Sequence, residues 1–154
     1  MPAPKDLVAV ASDHAGFQLK EVIKAELATL GHDVLDLGPE SGESVDYPDY
    51  GEKMARAIRE GRVTRGVIIC GSGIGISIAA NRFPEVRAAL CHDNLTARLS
   101  RQHNDANVLA MGERVIGVET AKDCLKAFLE TPFEGGRHQR RVDKLTALGA
   151  KVTS

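Results

Sequence analysis

Residues 66–81 contain, in order, an apolar run, three glycines at alternate positions and a segment of helical composition. A strand, a tight loop and a helix in this order are typical of turns that bind phosphate or another anion through backbone amides. Glycine allows positive φ and a close approach to a ligand, so successive N–H groups can point at negative oxygen. This stretch therefore predicts both a strand-to-helix connection and the position of the functional site.

Cys70 ends the predicted strand directly before the glycine loop. The positive end of a helix dipole favours a thiolate over a thiol, so the stretch offers a base or nucleophile beside donors for an oxyanion. A single cysteine at a strand end is more often a buried core residue, and the residue alone leaves both interpretations open. Cys91 and Cys124 have no such loop beside them and are predicted to be core thiols.

Strands and helices alternate along the chain. Short apolar runs predict strands at 7–11, 33–37, 67–70, 87–91 and 108–112. Amphipathic segments predict helices at 17–30, from 49 or 50 to 61, from the glycine loop to about 81, and at 95–104, 118–130 and 137–148. This alternation predicts an α/β fold, a three-layer αβα sandwich around a doubly wound, Rossmann-like parallel sheet of five strands. Ligands bind such sheets beyond the carboxyl ends of the strands, where the strand order reverses.

Length and composition narrow the class of protein. The chain has 154 residues, 43% hydrophobic and 27% charged, which indicates one domain over residues 1–154. The net charge is −1, so the chain does not have the excess of positive charge that sequence-independent nucleic-acid binding requires. No apolar run approaches the roughly 20 residues of a membrane span, and the N-terminus does not resemble a signal peptide. Three cysteines without CxxC spacing indicate free thiols, so we expect a cytoplasmic protein. From the charge and the short apolar runs, we expect neither nucleic-acid nor membrane partners.

Polar side chains follow three of the predicted strands. Asp13 and His14 follow the first strand, and His92 and Asp93 follow the fourth, so they can converge with the loop after Cys70. Residues 38–48 form a loop long enough to be a lid or rim, in which Tyr47 could stack on a sugar or simply pack.

A dinucleotide site is an alternative for the glycine loop, because Asp93 lies about twenty residues further on, where a ribose-binding acid is expected. The pattern fails in detail, since the third glycine of that fingerprint would fall at Ile76. The fingerprint also normally follows the first strand of the fold.

Four motifs occur in order, at residues 12–16 (SDHAG), 70–75 (CGSGIG), 100–105 (SRQHND) and 133–141 (FEGGRHQRR). With them, nearly the whole chain resembles the type-B ribose-5-phosphate isomerases, whose family includes galactose- and allose-6-phosphate isomerases. The resemblance implies metal- and cofactor-free aldose–ketose isomerisation of a sugar phosphate through a cis-enediolate, with ribose 5-phosphate as the expected substrate. Related four- or six-carbon sugar phosphates and a non-catalytic sugar-phosphate-binding module are the alternatives.

The resemblance also implies a homodimer or a dimer of dimers with active sites at subunit interfaces, where the helix from about 137 is expected. The family divides by its base, and this chain has Cys70 where other members place an acidic residue further along the loop, near Ile76. Cys70 is therefore the expected base. Ser72 stands where many cysteine-type members have threonine, which keeps the hydroxyl.

Isomerisation needs a base, donors for the enediolate oxygens, ring-opening groups and a phosphate anchor. The resemblance makes His103 the acid that protonates the ring oxygen, Asp13 a contact to a hydroxyl during ring opening, and Ser72 a donor to the enediolate with the loop amides. It assigns substrate binding to the following residues, with Tyr47 as a further candidate on the rim: His14, Gly71, Gly73, Ile74, Gly75 and Asn104.

Arg137 and Arg141 are four residues apart, so they share a helix face suited to a phosphate dianion, whereas Arg114 is a weaker candidate. A solvated basic helix, a helix cap at Asp13 and a surface position for His103 are the alternatives without function. The histidines and acids of these motifs lack a recognisable metal-ligand spacing, so no metal site is expected.

Overall fold

The computed structural model describes residues 6–153, with side chains to residue 151. Within that range the elements are β1 (Leu7–Ser12), α1 (Phe17–Thr29), β2 (Asp33–Asp36), α2 (Tyr47–Arg59), β3 (Gly66–Cys70), α3 (Ile74–Ala80), β4 (Ala88–Leu90), α4 (Asn94–Asn104), β5 (Val108–Gly112), α5 (Val118–Glu130) and α6 (Arg137–Thr153). The predicted alternation of strands and helices is confirmed.

The five strands form one parallel sheet in the order β2-β1-β3-β5-β4. Residues of a strand alternate between the two faces, so Val8 and Val10 pack into one core cluster and Ala9 and Ala11 into the other. Helices α1 and α5 cover the first face, and α2 and α3 cover the second. The predicted three-layer sandwich is confirmed. Because β1 and β3 are neighbours where the strand order reverses, their carboxyl ends border a crevice.

Most predicted boundaries lie within two residues of those in the structure, and three of the differences have a visible cause. Helix α2 begins at Tyr47, not at 49 or 50, because Pro48 has no N–H to leave unsatisfied and is tolerated in a first turn. Strand β4 is shorter than predicted, since the Arg87 amide bonds the Asn107 side chain at 2.8 Å instead of a strand partner. Helix α6 continues past 148 through Gly149, whose missing side chain lets the helix lie against Pro84.

None of the helices in residues 6–153 is long and apolar enough to cross a membrane.

A buried lysine fixes the start of the rim loop, residues 38–46. The Lys20 side chain on α1 is fully buried, and its Nζ donates to the two Asp36 oxygens at 2.8 and 3.0 Å and to the Pro39 carbonyl at 2.7 Å. Burial by itself would raise the pKa of Asp36, but hydrogen bonds from Lys20 and Lys24 outweigh it and lower that pKa. Lys20 therefore joins α1, the end of β2 and the rim loop.

Lys20→Met should lower the free energy of unfolding by about 2 kcal/mol, because the Pro39 carbonyl loses its donor and Asp36 loses one of two cations. Lys24→Met is the matched control, since Lys24 also bonds Asp36 at 2.8 Å but is partly exposed, and should cost about 1 kcal/mol or less. Urea unfolding of both variants measures the difference. Equal losses would contradict the role given to Lys20.

Candidate active site

A cavity of about 590 Å³ opens at the carboxyl ends of β1 and β3. Its volume lies in the range of small-molecule sites. The residues that line it are Asp13, His14, Ala15, Tyr47, Cys70, Gly71, Ser72, Ile74, Gly75, Ile78, Arg114 and Val115. The cavity therefore brings together most of the residues that the first two motifs suggested.

The Cys70 sulfur lies at the floor of this cavity and is bonded by the loop that follows it. The Gly73 N–H donates to Sγ at 3.1 Å, and the side chain is 4% exposed. The glycine loop therefore directs a backbone N–H at the Cys70 sulfur.

Only some of the loop amides remain available to a ligand. The Gly73 amide bonds Cys70, and the Ile74 amide donates to the Ser72 Oγ at 3.1 Å. The cavity-lining amides of Gly71, Ser72 and Gly75 have no partner within residues 6–153. The loop amides that could bind a substrate oxygen are therefore those of Gly71, Ser72 and Gly75, because the amides of Gly73 and Ile74 are already bonded within the loop.

Gly73 and Gly75 have no room for a side chain, because neighbouring residues approach the loop closely at both positions. Gly73 has a φ of +80°, and a Cβ there would lie 2.8 Å from the Met111 carbonyl carbon on β5. A Cβ on Gly75 would lie 2.5 Å from the Tyr47 ring. The ring of Tyr47, at the start of α2, therefore packs against the loop and forms one wall of the cavity.

Asp13 and His14 combine structural contacts with a position in the cavity. The Asp13 carboxylate is buried and accepts the Gly16 N–H at 3.0 Å, which stabilises the turn before α1. The N-cap of α1 is Gly16, so Asp13 does not cap this helix. His14 contacts the Val45 backbone through Nδ1, at 3.1 Å to the carbonyl and 3.2 Å to the amide. Its Nε2 has no partner in the described part of the chain, which leaves that nitrogen for a ligand.

Arg114 lies beside Cys70, although the sequence made it the weaker arginine candidate. Its amide donates to the Gly71 carbonyl at 3.0 Å, and its guanidinium packs over Gly71, where a Cβ would lie 3.3 Å from it. The adjacent Glu113 carboxylate accepts the Leu19 amide at 2.6 Å and ties this turn to α1. Within residues 6–153, Arg114 is the arginine that lines the cavity.

The third and fourth motifs of the chain lie outside the Cys70 cavity. The His103 ring, in the last turn of α4, stacks on the His138 ring, and Asn104 lines a separate cavity with Leu145. Arg137 and Arg141 are exposed at the start of α6. Within residues 6–153 of one chain, none of these four candidate site residues lines the Cys70 cavity.

The sequence pointed to Ile74 but not to Ile78 or Val115 in the apolar part of the cavity wall. Ile74, Ile78 and Val115 line the cavity and are 53, 49 and 54% exposed. These three side chains form an exposed apolar rim beside the polar groups of the cavity.

His92, Asp93 and the other two cysteines do not contribute to the cavity. Asp93 caps α4 by accepting the Thr96 amide at 2.7 Å, and this bond and that of the Thr96 hydroxyl lower its pKa. His92 is exposed and does not line the cavity. Cys91 and Cys124 lie in the core, where burial raises both pKa values, that of Cys124 to about 12.

A cavity at the carboxyl ends of parallel strands that offers a thiol, free amides and an arginine is the kind of site that binds a small phosphorylated metabolite. The family model described as Ribose/Galactose Isomerase matches residues 8–145. The chain belongs to this family, and the prediction of a sugar-phosphate isomerase is confirmed at that level.

Named relatives agree with this assignment. Ribose-5-phosphate isomerase B of Escherichia coli is 50% identical over 92% of this chain and 95% of that protein. D-erythrulose-4-phosphate isomerase of Pectobacterium atrosepticum is 41% identical over 90% of this chain and 91% of its own. The solved structure of Clostridium thermocellum ribose-5-phosphate isomerase B is 48% identical, with a TM-score of 0.93 over 95% of this chain and 99% of that one.

Alkylation should separate the three cysteines. Iodoacetamide should modify Cys70 first, because it alone of the three lines the cavity, while Cys91 and Cys124 are buried in the core with raised pKa values. Peptide mass spectrometry of the native protein measures the order. Modification of Cys91 or Cys124 before Cys70 would contradict the site, and Cys70→Ser is the control for residual labelling.

Proposed function

We propose that the protein interconverts ribose 5-phosphate and ribulose 5-phosphate, with Cys70 as the base that moves the proton. The observation that carries the proposal is the Cys70 sulfur, bonded by the Gly73 amide and facing a cavity with free backbone donors. The E. coli relative, named for this reaction, supports the choice of substrate.

The reaction begins with ring opening and proceeds through an enediolate. Asp13 contacts a sugar hydroxyl while His103 protonates the ring oxygen, since imidazole exchanges protons near neutral pH. The Cys70 thiolate then removes the proton from C2 of the open-chain aldose and returns it to C1, while the hydroxyl proton on O2 is transferred to O1. No step uses a metal or a cofactor.

The negative oxygen of the enediolate is held by groups already in place. Gly71, Ser72 and Gly75, whose amides have no partner within residues 6–153, line the same cavity as Cys70, and Ser72 adds a hydroxyl. Donors fixed before the reaction need no reorganisation as charge develops, and one such donor contributes roughly 3 kcal/mol to transition-state stabilisation.

The phosphate is anchored by arginines from two subunits. Arg114 and His14 belong to the cavity of one subunit, and Arg137 and Arg141 are supplied by α6 of a second subunit. This division explains why α6 carries two site residues that do not reach the cavity of their own chain. Asn104 binds a substrate oxygen next to His103.

A homodimer provides that second subunit. The apolar rim of Ile74, Ile78 and Val115 is exposed, and so are Leu145 and Leu148 on α6, at 50 and 59%. Burying both surfaces against each other is favourable at about 25 cal/mol per Å² of apolar area. The proposed dimer places α6 at the interface, and two dimers can pair into a tetramer. Its three free cysteines suit the reducing cytoplasm.

The first experiment is a coupled aldose-to-ketose assay with ribose 5-phosphate, in parallel with erythrose 4-phosphate and allose and galactose 6-phosphates. Cys70→Ala should lower kcat by about 10²- to 10⁴-fold, the usual contribution of a general base, while the fold is retained. The matched control, Cys91→Ala, removes a core thiol outside the cavity and should retain far more activity.

Two outcomes of that assay change the proposal. Preference for a four-carbon substrate would move the protein towards the activity for which the P. atrosepticum relative is named, with the same mechanism. Binding of ribose 5-phosphate without turnover, and without exchange of its C2 proton with solvent deuterium, would favour a sugar-phosphate-binding module.

Arg114→Ala should raise KM for ribose 5-phosphate about tenfold or more, because hydrogen bonds to charged groups contribute about 1.5–3 kcal/mol. A smaller change in kcat is expected, since the phosphate is remote from the proton transfer. Arg62→Ala, at an exposed position outside the cavity, is the control and should leave KM unchanged. An unchanged KM in Arg114→Ala would remove this residue from the phosphate site.

A further inference from the structure

Three metal-ligating side chains come together outside the Cys70 cavity. His103 at the end of α4, Glu134 before α6 and His138 in its first turn have ligating atoms within 4.8 Å of one another. His138 Nε2 lies 3.6 Å from Glu134 Oε1, and the two imidazole rings stack with their centroids 4.5 Å apart. The proposed isomerisation uses neither Glu134 nor His138.

The backbone holds the two segments of this cluster together before any ion binds. The Glu134 amide donates to the Gln102 carbonyl at 3.1 Å, directly beside His103. The Arg101 Nε donates to the Thr131 carbonyl at 3.1 Å, which anchors the same segment to α4. The His138 amide bonds the Gly135 carbonyl at 3.0 Å and sets the first turn of α6. The cluster is therefore a product of the fold and does not depend on side-chain rotation alone.

We propose that His103, Glu134 and His138 bind a transition-metal dication such as Zn²⁺, with water or an anion oxygen as the fourth ligand. Two imidazoles and one carboxylate are a ligand set that suits Zn²⁺, whereas Ca²⁺ and Mg²⁺ require more oxygen ligands. The Glu134 side chain is 51% exposed, so the ion enters from solvent and the carboxylate can move towards it.

Binding requires a small local adjustment. Ligands about 2.1 Å from a tetrahedral ion lie about 3.4 Å apart, so the donors must contract from their present spread. The two rings, now 14° from parallel, must also tilt so that their nitrogen lone pairs converge. Arg137 and Arg141 act electrostatically on His138 and oppose a cation there.

The functional consequence rests on the proposed function. A bound ion occupies a nitrogen of His103, the ring assigned to protonate the sugar ring oxygen, so Zn²⁺ should inhibit the isomerase reversibly. Metal binding and isomerisation then compete for one side chain.

The test is a titration of chelator-treated protein with Zn²⁺ against a chromophoric chelator, with Co²⁺ absorption as a second readout of tetrahedral coordination. The wild type should bind one ion per chain, and Glu134→Gln and His138→Asn should each weaken binding about tenfold or more. His92→Asn is the control, since it removes an exposed histidine outside the cluster. No binding by the wild type, or equal binding by all variants, overturns the proposal.

Activity assays keep this test separate from the proposed function. Zn²⁺ inhibition that is reversed by chelator and weakened in Glu134→Gln supports the proposal. Zn²⁺ binding without inhibition also supports the metal site, but contradicts the role of His103 as the acid. If the protein turns over no sugar phosphate, the titration alone still decides the metal site.

Discussion

The close approach of β1 to β3 is the constraint on which the site depends. The two strands pair in parallel from Ala9 opposite Gly66 to Ser12 opposite Ile69, and the Asp13 amide continues the ladder to the Ile69 carbonyl at 3.2 Å. A Cβ on Gly16 would lie 2.5 Å from that carbonyl oxygen, so only glycine permits the turn to close there. This contact places Asp13 and His14 beside the Cys70 loop.

Much of the fold could be predicted from the sequence, and so could the meeting of the first two motifs at one cavity, because both depend on local patterns. Apolar runs and amphipathic segments marked the strands and helices, and parallel strands collect their following residues at one edge. Boundaries failed where a tertiary contact overrode a local signal, as at Gly149 against Pro84. The availability of individual loop amides could not be predicted, since it depends on which of them bond Cys70 and Ser72.

The positions of His103, Arg137 and Arg141 show a different limit. The spacing of the two arginines predicted a shared helix face, and both lie on α6, but spacing along the chain does not tell whether a side chain reaches the Cys70 cavity of its own chain. The cluster of His103, Glu134 and His138 was also missed, because its ligands come from two segments that meet only in the folded chain. The i, i+4 spacing of Glu134 and His138 was the one local signal available.

We propose that Cys70 of one subunit and His103 of another complete one isomerase site. Co-expression of Cys70→Ala and His103→Asn chains, each inactive alone, followed by an assay of the mixture with ribose 5-phosphate, tests this pairing. In a two-fold symmetric dimer, each mixed pair then holds one intact site, so random pairing should restore about a quarter of wild-type activity. If both residues act within one subunit, no intact site can form, and an inactive mixture of confirmed mixed dimers would contradict the claim.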